Sequence, residues 1–492
     1  MKPATPAAYQ LLHQGSLALA EVERAGIRID VGYLEATTKR VAADVEDLKK
    51  KLRSGKVYAA WRKRWGLKAN LGSREQLAEV LFGTLGHPYP GGDGNRTATG
   101  RWKCDEPVLK LVDEPFVADY LHFQSLQDTK TKYLDGLAQQ VVGGRFHASY
   151  NLHLAATYRS SSGADKSSNS MGKDYNFQNL PIRDPEKAAL IRPCFIPSKG
   201  CALPEMDYGG IEVKVACCAT GDPRLIEDFT TPGKDPHRDT AAELFLLPVE
   251  FLTEHKDWAK RSVRDWAKNQ FVFPEFYGSV YFQCAPPLWE RLCNPKVKIP
   301  GAEISVRKHL RKHGIKELGA CVPGQEPRPG TFEHHVRKVE RGFWDERFVV
   351  YRDWKQKTYE KYLANGFLRT MTGFVCQWGK GGIMVRNDTA NYPIQGPAFH
   401  CLLLAIIEVI RRLRKYKMKS RVVGQIHDSK LGDVPEAELQ NYLEIGYDVM
   451  TRWVPKQWSW ITVPLEVEAD VAFDHWHSKK TWECKGGTWG PK

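Results

Sequence analysis

Two aspartates stand at the ends of short apolar stretches that lie far apart in the chain. Asp207 closes a stretch that begins at Cys201, and Asp428 follows the stretch Arg421–Ile426. An aspartate at the end of a strand is held rigidly at the edge of a sheet, and two such carboxylates can hold a pair of Mg²⁺ ions for phosphoryl transfer. A lone aspartate after a strand is more often a turn or helix-capping residue. The metal-binding interpretation therefore requires further residues that bind phosphate.

Such residues occur on a predicted helix between the two aspartates. Arg261, Arg264 and Lys268 recur at spacings of three and four residues, so their side chains share one face. The aromatic stretch Phe271–Gly278 continues from that face. Cations followed by aromatic rings suit a nucleoside triphosphate whose sugar and base stack farther along the helix. The alternative is a solvated basic helix with an aromatic stripe in the core.

Polar side chains also cluster in two loop regions ahead of Asp207. The segments Thr157–Ser162 and Asn176–Arg183 carry amides and arginines near turns. Such groups hydrogen-bond within loops, and they also read minor-groove acceptors and grip phosphates without requiring one base sequence. Lys130 and Lys132 lie near the end of a predicted helical segment, and by themselves they indicate only a solvated face.

The composition is that of a globular protein with a basic surface. The 492 residues carry a net charge of +14, which suits a polyanion such as nucleic acid, although charge alone selects no partner. Eleven cysteines without a Cys-x-x-Cys pair indicate reduced thiols in an intracellular protein, with neither a zinc site nor a disulfide framework. The N-terminus lacks an apolar targeting core, and the longest mainly apolar run, Phe399–Ile410, is too short to span a bilayer. We therefore expect a soluble protein of roughly two to four subdomains.

Periodicity predicts a helical N-terminal part followed by a mixture of helices and strands. Two helices are expected over residues 8–53, with a break at Gly26 and an N-cap at Asp30. The later elements expected are a helix opening at Ser73, a helical segment over 106–137, a strand over 145–151, loops and short helices over 284–340, a helix over 343–365, a hairpin around Gly373, an apolar helix over 399–413 opened by Asn391–Gly396, and a final strand over 463–471 that closes the domain.

Taken in order, the motifs resemble the polymerase region of family A DNA polymerases, the type found in bacterial repair polymerases and phage replicases. The matching segments are Glu23–Asp30, Gln178–Pro181, Asp207–Glu212, Asp235–His237, Arg264–Gly278, Asn391–Gly396 and Gln425–Asp428. The resemblance spans nearly the whole chain and depends on the joint order, because each motif alone is weak. It implies an α+β right-hand polymerase fold with an antiparallel-sheet palm, helical fingers and a helical thumb. The domains expected are the N-terminal helices and thumb over 1–140, the first part of the palm over 141–230, the fingers over 231–390, and the second part of the palm over 391–492.

The resemblance assigns a role to each matching position. Asp207, Tyr208 and Asp428 would hold two Mg²⁺ ions. The residues expected to bind the incoming deoxynucleotide are Glu212, His237, Arg264, Lys268, Phe273, Tyr277 and Arg183. Within this set, Lys268 would also act catalytically by protonating the leaving pyrophosphate, and Glu212 would exclude a ribose 2′-hydroxyl. The residues expected to contact primer–template DNA are Arg159, Gln178, Asn179, Asn391, Gln395, His427, Lys130 and Lys132.

Several positions depart from the family pattern. Ser429 stands where many members carry a glutamate after the second-motif aspartate, and Gly209-Gly210 replaces Ser-Gln. Tyr158 replaces the usual glycine before the loop arginine. The stretch between Lys268 and Phe273 has one residue more than the family, which predicts a bulge or a shifted register in that helix.

The function expected is DNA-directed DNA synthesis from dNTPs by two-metal-ion nucleotidyl transfer. The first alternative is a single-subunit RNA polymerase, against which Glu212 argues. The second is a catalytically silent DNA-binding scaffold, which only Ser429 and the glycines at 209 and 210 favour.

The thumb-like helices begin close to Met1, which leaves no room ahead of them for an exonuclease domain. We therefore expect a monomer without proofreading, located in the cytoplasm of a bacterial or phage-infected cell, with the short layout favouring a phage. A separate exonuclease or processivity factor as partner is a hypothesis that rests on the same observation.

Overall fold

Helices surround one large antiparallel sheet and several smaller ones. The computed structural model describes residues 2–3, 5–90, 97, 100–163, 175–182, 184–293, 297–379 and 381–492. Arg183, one of the expected nucleotide-binding residues, lies outside the described residues.

The strands are short except in the large sheet. In chain order they are β1 (Lys2–Pro3), β2 (Ile27–Ile29), β3 (Val141–Val142), β4 (Arg145–Phe146), β5 (Tyr150–Asn151), β6 (Ser161–Ser162), β7 (Phe195–Ile196), β8 (Cys201–Tyr208), β9 (Leu368–Arg369), β10 (Phe374–Cys376), β11 (Trp378–Gly379), β12 (Gly382–Ile383), β13 (Arg421–Ile426), β14 (Ser429–Pro435), β15 (Val467–Ala472), β16 (Lys480–Lys485) and β17 (Thr488–Pro491). The large sheet has the order β13-β14-β8-β15-β16-β17, and all of its neighbours are antiparallel.

The register of the large sheet brings the two aspartates to the same end. In the centre of the sheet, Asp207 of β8 lies opposite Ser429 of β14 and opposite Glu468 of β15. Asp428 immediately precedes Ser429 in the turn between β13 and β14. The two carboxylates, which are far apart in sequence, therefore lie on adjacent strands.

The prediction that a strand over 463–471 closes the domain is wrong, because that segment contains an inner strand. β15 pairs with β8 on one side and with β16 on the other, and the hairpin β16–β17 forms the edge of the sheet. β16 is largely solvent-exposed on both faces, so its sequence carries little apolar alternation. The periodicity that reveals a half-buried strand is therefore missing.

The helices pack around this sheet and fill the segments between its strands. They are α1 (Pro6–Ala25), α2 (Val31–Ser54), α3 (Lys56–Trp65), α4 (Arg74–Ala78), α5 (Glu106–Leu109), α6 (Pro115–Asp128), α7 (Asp135–Gln140), α8 (Pro185–Ile191), α9 (Ile211–Thr220), α10 (Pro223–Thr230), α11 (Pro236–Phe245), α12 (Val249–Glu254), α13 (Lys256–Arg261), α14 (Val263–Ala267), α15 (Phe273–Phe276), α16 (Tyr281–Leu292), α17 (Val306–Lys312), α18 (Phe332–Arg341), α19 (Val349–Asn365), α20 (Arg386–Lys415), α21 (Leu439–Asp448) and α22 (Val454–Gln457). Wider π-helical turns occupy Glu79–Thr84, Thr129–Leu134, Lys268–Val272, Gly342–Arg347 and Val449–Trp453.

The helix α20 is the core helix of the domain and is longer than its sequence predicts. It runs for 30 residues from Arg386, so Asn391–Gly396 lies inside it and does not open it. Pro393 and Pro397 are also internal, and both are buried. By length and composition α20 could cross a membrane, but 83% of its most apolar window is buried inside the protein. Burial against neighbouring elements thus sustains the helix through residues that usually break one.

The N-terminal elements confirm the predicted helix break and cap. α1 ends before Gly26, the strand β2 follows, and the Asp30 carboxylate caps α2 by accepting a hydrogen bond from the Tyr33 N–H at 2.9 Å. Ser73 caps α4 as expected. The predicted continuous helix over 106–137 is instead interrupted, because Pro115 starts a new helix with Glu114 as its N-cap.

Aromatic side chains hold together helices in the segment between α9 and α20. The ring of Phe276 lies 5.6 Å from that of Phe343, 5.8 Å from that of Phe348 and 5.3 Å from that of Tyr351. These contacts fix α15 against α19. The predicted end of α19 at Gly366 and the hairpin around Gly373, formed by β9 and β10, are confirmed.

Candidate active site

The two aspartates form the centre of the candidate site. The backbone N–H of Tyr208 donates to the carbonyl oxygen of Asp428 at 3.3 Å, which ties the turn after β13 to the end of β8. The Tyr208 ring is buried, and its hydroxyl donates to the Met450 carbonyl oxygen at 3.0 Å. This anchoring holds the backbone between the two carboxylates in one position.

The charges of neighbouring carboxylates act on Asp207. Burial of the carboxyl group, followed by the charge of Asp428 and then those of Glu205 and Glu468, raises the pKa of Asp207 to about 7, even though part of its side chain is exposed to solvent. Burial also raises the pKa of Asp428, against the opposing effect of Arg159. A cation between the aspartates would relieve this repulsion.

The donor set fits Mg²⁺ bound with substrate. Mg²⁺ takes oxygen ligands and commonly binds one or two carboxylates, while waters and substrate phosphates complete its shell. Asp207 and Asp428 supply two hard oxygen ligands from rigid strand ends. No group of three or more His, Cys, Asp or Glu side chains arranged to hold a metal occurs among the residues that the structure describes. Two carboxylates fit a metal whose shell is completed by waters and substrate phosphates.

A buried amide network supports the turn that carries Asp428. The side chain of Gln425 is fully buried, accepts from Gln178 Nε2 and from Ser160 Oγ at 2.7 Å each, and donates to the carbonyl oxygen of His427 at 2.7 Å. His427 has a φ of +48°, which is unfavourable for a residue with a Cβ. The network thus holds a strained residue beside Asp428. Gln425 and Ser160 were missing from the sequence-predicted site, although both lie in the segments that predicted it.

Two residues with separately predicted roles contact each other. The Glu212 carboxylate, at the start of α9, forms an ion pair with the Arg159 guanidinium. Burial and the charge of Asp428 raise the pKa of Glu212 to about 8, and burial lowers the pKa of Arg159. The contact joins Arg159, which was predicted to bind DNA, to Glu212, which was predicted to lie beside the sugar of the nucleotide.

The loop before Arg159 shows why a glycine is usual at position 158. Tyr158 has a φ of +60°, which a glycine adopts without strain. Its hydroxyl donates to the Val375 carbonyl oxygen, and its ring packs 4.9 Å from that of Phe374. These contacts offset the strained backbone. A Cβ at Gly396 would lie 2.8 Å from the Thr157 carbonyl oxygen, so α20 and this loop approach at backbone distance.

The three cations predicted on one helix face are divided, because the backbone breaks at Ser262 and leaves Arg261 at the end of α13. Arg264 and Lys268 lie beside α11. Arg264 Nε donates to Asp235 Oδ2 at 2.6 Å, and Lys268 Nζ lies 5.5 Å from the centre of the Phe273 ring. The His237 ring lies 5.7 Å from that of Phe273. Burial and the charges of Lys268 and Arg264 lower the pKa of His237 to about 3, so this imidazole is neutral near neutral pH.

The His237 side chain also carries an unsatisfied polar atom. Its Nδ1 is buried, and within the described part of the chain it has no hydrogen-bond partner. A buried nitrogen without a partner is costly in a native fold. Its place beside two cations is consistent with a polar ligand entering there.

The extra residue in the fingers helix is absorbed by a π-helical turn. The turn covers Lys268–Val272 and has a wider hydrogen-bonding pattern than an α-helix. This confirms the predicted bulge. After it, the rings of Phe273 and Tyr277 stack with centres 6.3 Å apart and 21° between their planes.

The remaining predicted residues lie at the edges of the site or outside it. Asn391 Nδ2 donates to the Tyr277 carbonyl oxygen at 3.4 Å, and its Oδ1 is buried without a partner among the described residues. Gln395 is half-buried on α20, and Asn179 is exposed in the turn before α8. The remaining two cations are in ion pairs within their own helical segment, Lys130 with Asp135 at 2.8 Å and Lys132 with Asp128 at 2.9 Å. These pairs agree with a solvated face.

Comparison with known proteins shows which family this chain resembles. The model for DNA polymerase family A matches residues 33–288 and 342–478. The chain is 29% identical to the thermostable DNA polymerase I of Thermus thermophilus over 476 residues, which is 94% of this chain and 47% of that protein. It is 27% identical to DNA polymerase I of Chloroflexus aurantiacus over 95% of this chain and 43% of that protein. The chain thus spans about half the length of the curated relatives it matches.

The fold leads to the same family. The polymerase domain of Pol1 from M. smegmatis, solved in a complex with DNA primer–template and dNTP, superposes with a TM-score of 0.70 at 26% identity. The superposition covers 95% of this chain and 70% of that one, which confirms the expected right-hand fold. Since the family model covers well over half of the residues, this chain belongs to DNA polymerase family A.

Proposed function

We propose that this chain is a DNA-directed DNA polymerase that adds dNTPs to the 3′ end of a primer. The observation that carries the proposal is the register of the large sheet, which places Asp207 and Asp428 on adjacent strand ends. Membership of the family and the match to a polymerase domain support the reaction class. We further propose that two Mg²⁺ ions bind at these aspartates and at Tyr208.

Bound Mg²⁺ ions would activate the primer 3′-hydroxyl and neutralise charge on the triphosphate. Lys268 and Arg264 bind the phosphates as cations, and Lys268 gives a proton to the departing pyrophosphate. Arg264 is paired with Asp235, so we expect it to position the triphosphate more than to neutralise its charge. His237, neutral at working pH, donates or accepts a hydrogen bond through its unsatisfied Nδ1.

The aromatic residues and Glu212 select the nucleotide. Phe273 faces the sugar, and Tyr277 stacks beside the templating position. The Glu212 side chain, held by Arg159, occupies the space that a ribose 2′-hydroxyl would need. The pairing of Glu212 with Arg159 also favours a DNA polymerase over the RNA polymerase alternative, because it holds the Glu212 side chain in place before the nucleotide binds.

Primer–template DNA is the partner that the proposal requires. A net charge of +14 suits a polyanion. The residues that we place along the minor groove are Arg159, Gln178, Asn179, Asn391, Gln395 and His427. Of these, Gln178 acts through the buried network beneath Asp428, so its loss alters the active site as well as DNA contact. Lys130 and Lys132 contribute at most weakly, because both are already paired.

The decisive experiment compares wild type with Asp428→Asn in primer extension with Mg²⁺ and all four dNTPs. Asp44→Asn, a change on the exposed face of α2, is the matched control. We expect extension by wild type and the control, and loss of extension by Asp428→Asn with primer–template binding retained. Binding without extension by wild type would refute the polymerase proposal and favour the silent scaffold.

We also propose that these residues carry no proofreading activity and act as a monomer in the cytoplasm of a bacterial or phage-infected cell. The relatives named above are bacterial, and a phage source stays a prediction. The purified chain should release no nucleoside monophosphate from a matched primer end during idle turnover. Release of monophosphate would contradict this part of the proposal.

A further inference from the structure

The residue after Asp428 occupies an enclosed position in the sheet. Ser429 is 4% exposed and lies directly opposite Asp207 on the neighbouring strand. Its hydroxyl can donate to the Ile426 carbonyl oxygen at 3.0 Å or to Glu205 Oε1 at 3.3 Å. The only side-chain acceptor that the structure gives this hydroxyl, among the described residues, is therefore a carboxylate.

That carboxylate belongs to the same strand as Asp207. Glu205 precedes Asp207 by two residues on β8, so both side chains lie on one face of the sheet. In register, Glu205 faces Leu431 on one side and Asp470 on the other. The chain thus has an acidic side chain on the same face of β8 as Asp207, two residues before it.

Glu205 is fixed from the opposite side by the C-terminal part of the chain. Its Oε2 accepts from Trp476 Nε1 at 2.8 Å and from Lys479 Nζ at 2.7 Å. Lys479 also pairs with Asp470 at 2.9 Å, and the Arg192 guanidinium stacks 4.0 Å from the centre of the Trp476 ring. Trp476 is fully buried. The carboxylate is held rigidly by residues that no sequence motif included.

A second carboxylate at position 429 would be incompatible with this arrangement. A glutamate in place of Ser429 would enter a closed space between Glu205 and Asp207, where like charges on neighbouring strands repel. The serine at this position, noted above as a departure, and the glutamate at 205 thus form a matched pair. Asp207 already faces Glu468 on β15, so a carboxylate at position 429 would place an acidic side chain opposite Asp207 on both neighbouring strands.

We propose that Glu205 takes the place of the missing carboxylate at position 429, as a positioning residue for the metal site. Through Ser429 it orients the turn that carries Asp428, and by pairing with Lys479 it keeps that ammonium away from Asp207. The proposal rests on the function proposed above.

The test is a double-mutant cycle of Glu205→Ser, Ser429→Glu and the two together. The first readout is the Mg²⁺ concentration that gives half of the maximal thermal stabilisation of the metal-free protein, measured with the metal alone. The second readout is kcat and KM for dNTP in primer extension. We expect each single change to raise the half-stabilising Mg²⁺ concentration by about 3- to 10-fold, and the exchange of both to bring it back to within about 3-fold of wild type.

Glu205→Gln separates charge from packing. The amide keeps the shape of the side chain and an acceptor for Trp476, but it removes the charge that holds Lys479, which is then paired with Asp470 alone and can turn toward Asp207. It should raise the half-stabilising Mg²⁺ concentration and lower kcat more than it changes KM for dNTP, with little loss of stability in EDTA. Additive effects in the cycle, or an unchanged Mg²⁺ requirement in Glu205→Gln, would overturn the proposal. If wild type fails to extend primers but the Mg²⁺ coupling is present, the polymerase proposal fails and the pairing of Glu205 with Ser429 stands.

Discussion

Replacing Asp207 by asparagine should stabilise the metal-free protein while abolishing primer extension. The carboxylate lies beside Asp428, Glu205 and Glu468, and its pKa is raised from 3.8 to about 7. A shift of that size, at about 1.4 kcal/mol for each pKa unit, sets an upper limit of about 4 kcal/mol on the cost of its charge. The side chain is more than one-third exposed, so solvent screening reduces the expected gain to roughly 1–2 kcal/mol. For a chain of this size that corresponds to a rise in Tm of roughly 1–3 °C.

The stability gained by Asp207→Asn should depend on pH, and the raised pKa of Asp207 sets the direction of this dependence. Below pH 3.8 the carboxyl is protonated in both the folded and unfolded states, so the charge costs nothing. As the pH rises from about 4 to about 7, the unfolded chain ionises while the folded chain holds its proton, and wild type loses stability relative to Asp207→Asn. Above a pH of about 7 the difference stays at its maximum.

The assay is thermal unfolding of wild type and Asp207→Asn in EDTA at several pH values between 4.5 and 8. Asp44→Asn is the control and should give no pH-dependent difference from wild type. Saturating Mg²⁺ should stabilise wild type and not Asp207→Asn, which reverses their order. A variant less stable than wild type at pH 8, or a gain that stays undiminished at pH 4.5, would refute the reasoning.

Three further predictions concern the nucleotide site and the helix behind it. Lys268→Ala should lower kcat/KM for dNTP by about 10²-fold in steady-state primer extension. Arg261→Ala, an exposed change on the preceding helix, should leave kcat/KM nearly unchanged. Equal losses in the two variants would contradict the proposal that Lys268 binds phosphate. Glu212→Ala should reduce the preference for dNTP over rNTP by about 10-fold or more, and a preserved preference in competition assays would remove Glu212 from sugar selection. Gly396→Ala should destabilise the protein by about 1–3 kcal/mol in chemical unfolding, because the added methyl group would meet a backbone carbonyl oxygen. Gly342→Ala, which has open space around it, should be neutral or stabilising.

Local features of the sequence were enough to predict the elements at the N-terminus and the end of α19. The Asp30 cap, the break at Gly26 and the stop at Gly366 each depend on one residue and its immediate neighbours. The extra residue relative to the family after Lys268 predicted a bulge or a shifted register, and the structure has a bulge there in the form of a π-helical turn. Such features depend on hydrogen bonds between residues a few positions apart.

Elements whose stability comes from distant neighbours were not predictable in this way. α20 continues through Pro393 and Pro397 because its surface is buried, and β16 exists because β15 and β17 pair with it. The interruption at Pro115 is the opposite case, in which a local signal stopped a helix that periodicity would have continued.

The sequence by itself determined which residues we propose for the chemistry, because Asp207, Asp428 and the cations between them stand in the motif order described above. Only the tertiary structure decided which of these residues contact each other and what supports them. The pairing of Arg159 with Glu212 and the cluster that fixes Glu205 join segments that are far apart in the chain. Strand register decides which face of the sheet Glu205 and Asp207 occupy, and a shift of one residue would turn Asp207 to the other face. That register depends on packing across the whole domain, which no local stretch of sequence encodes.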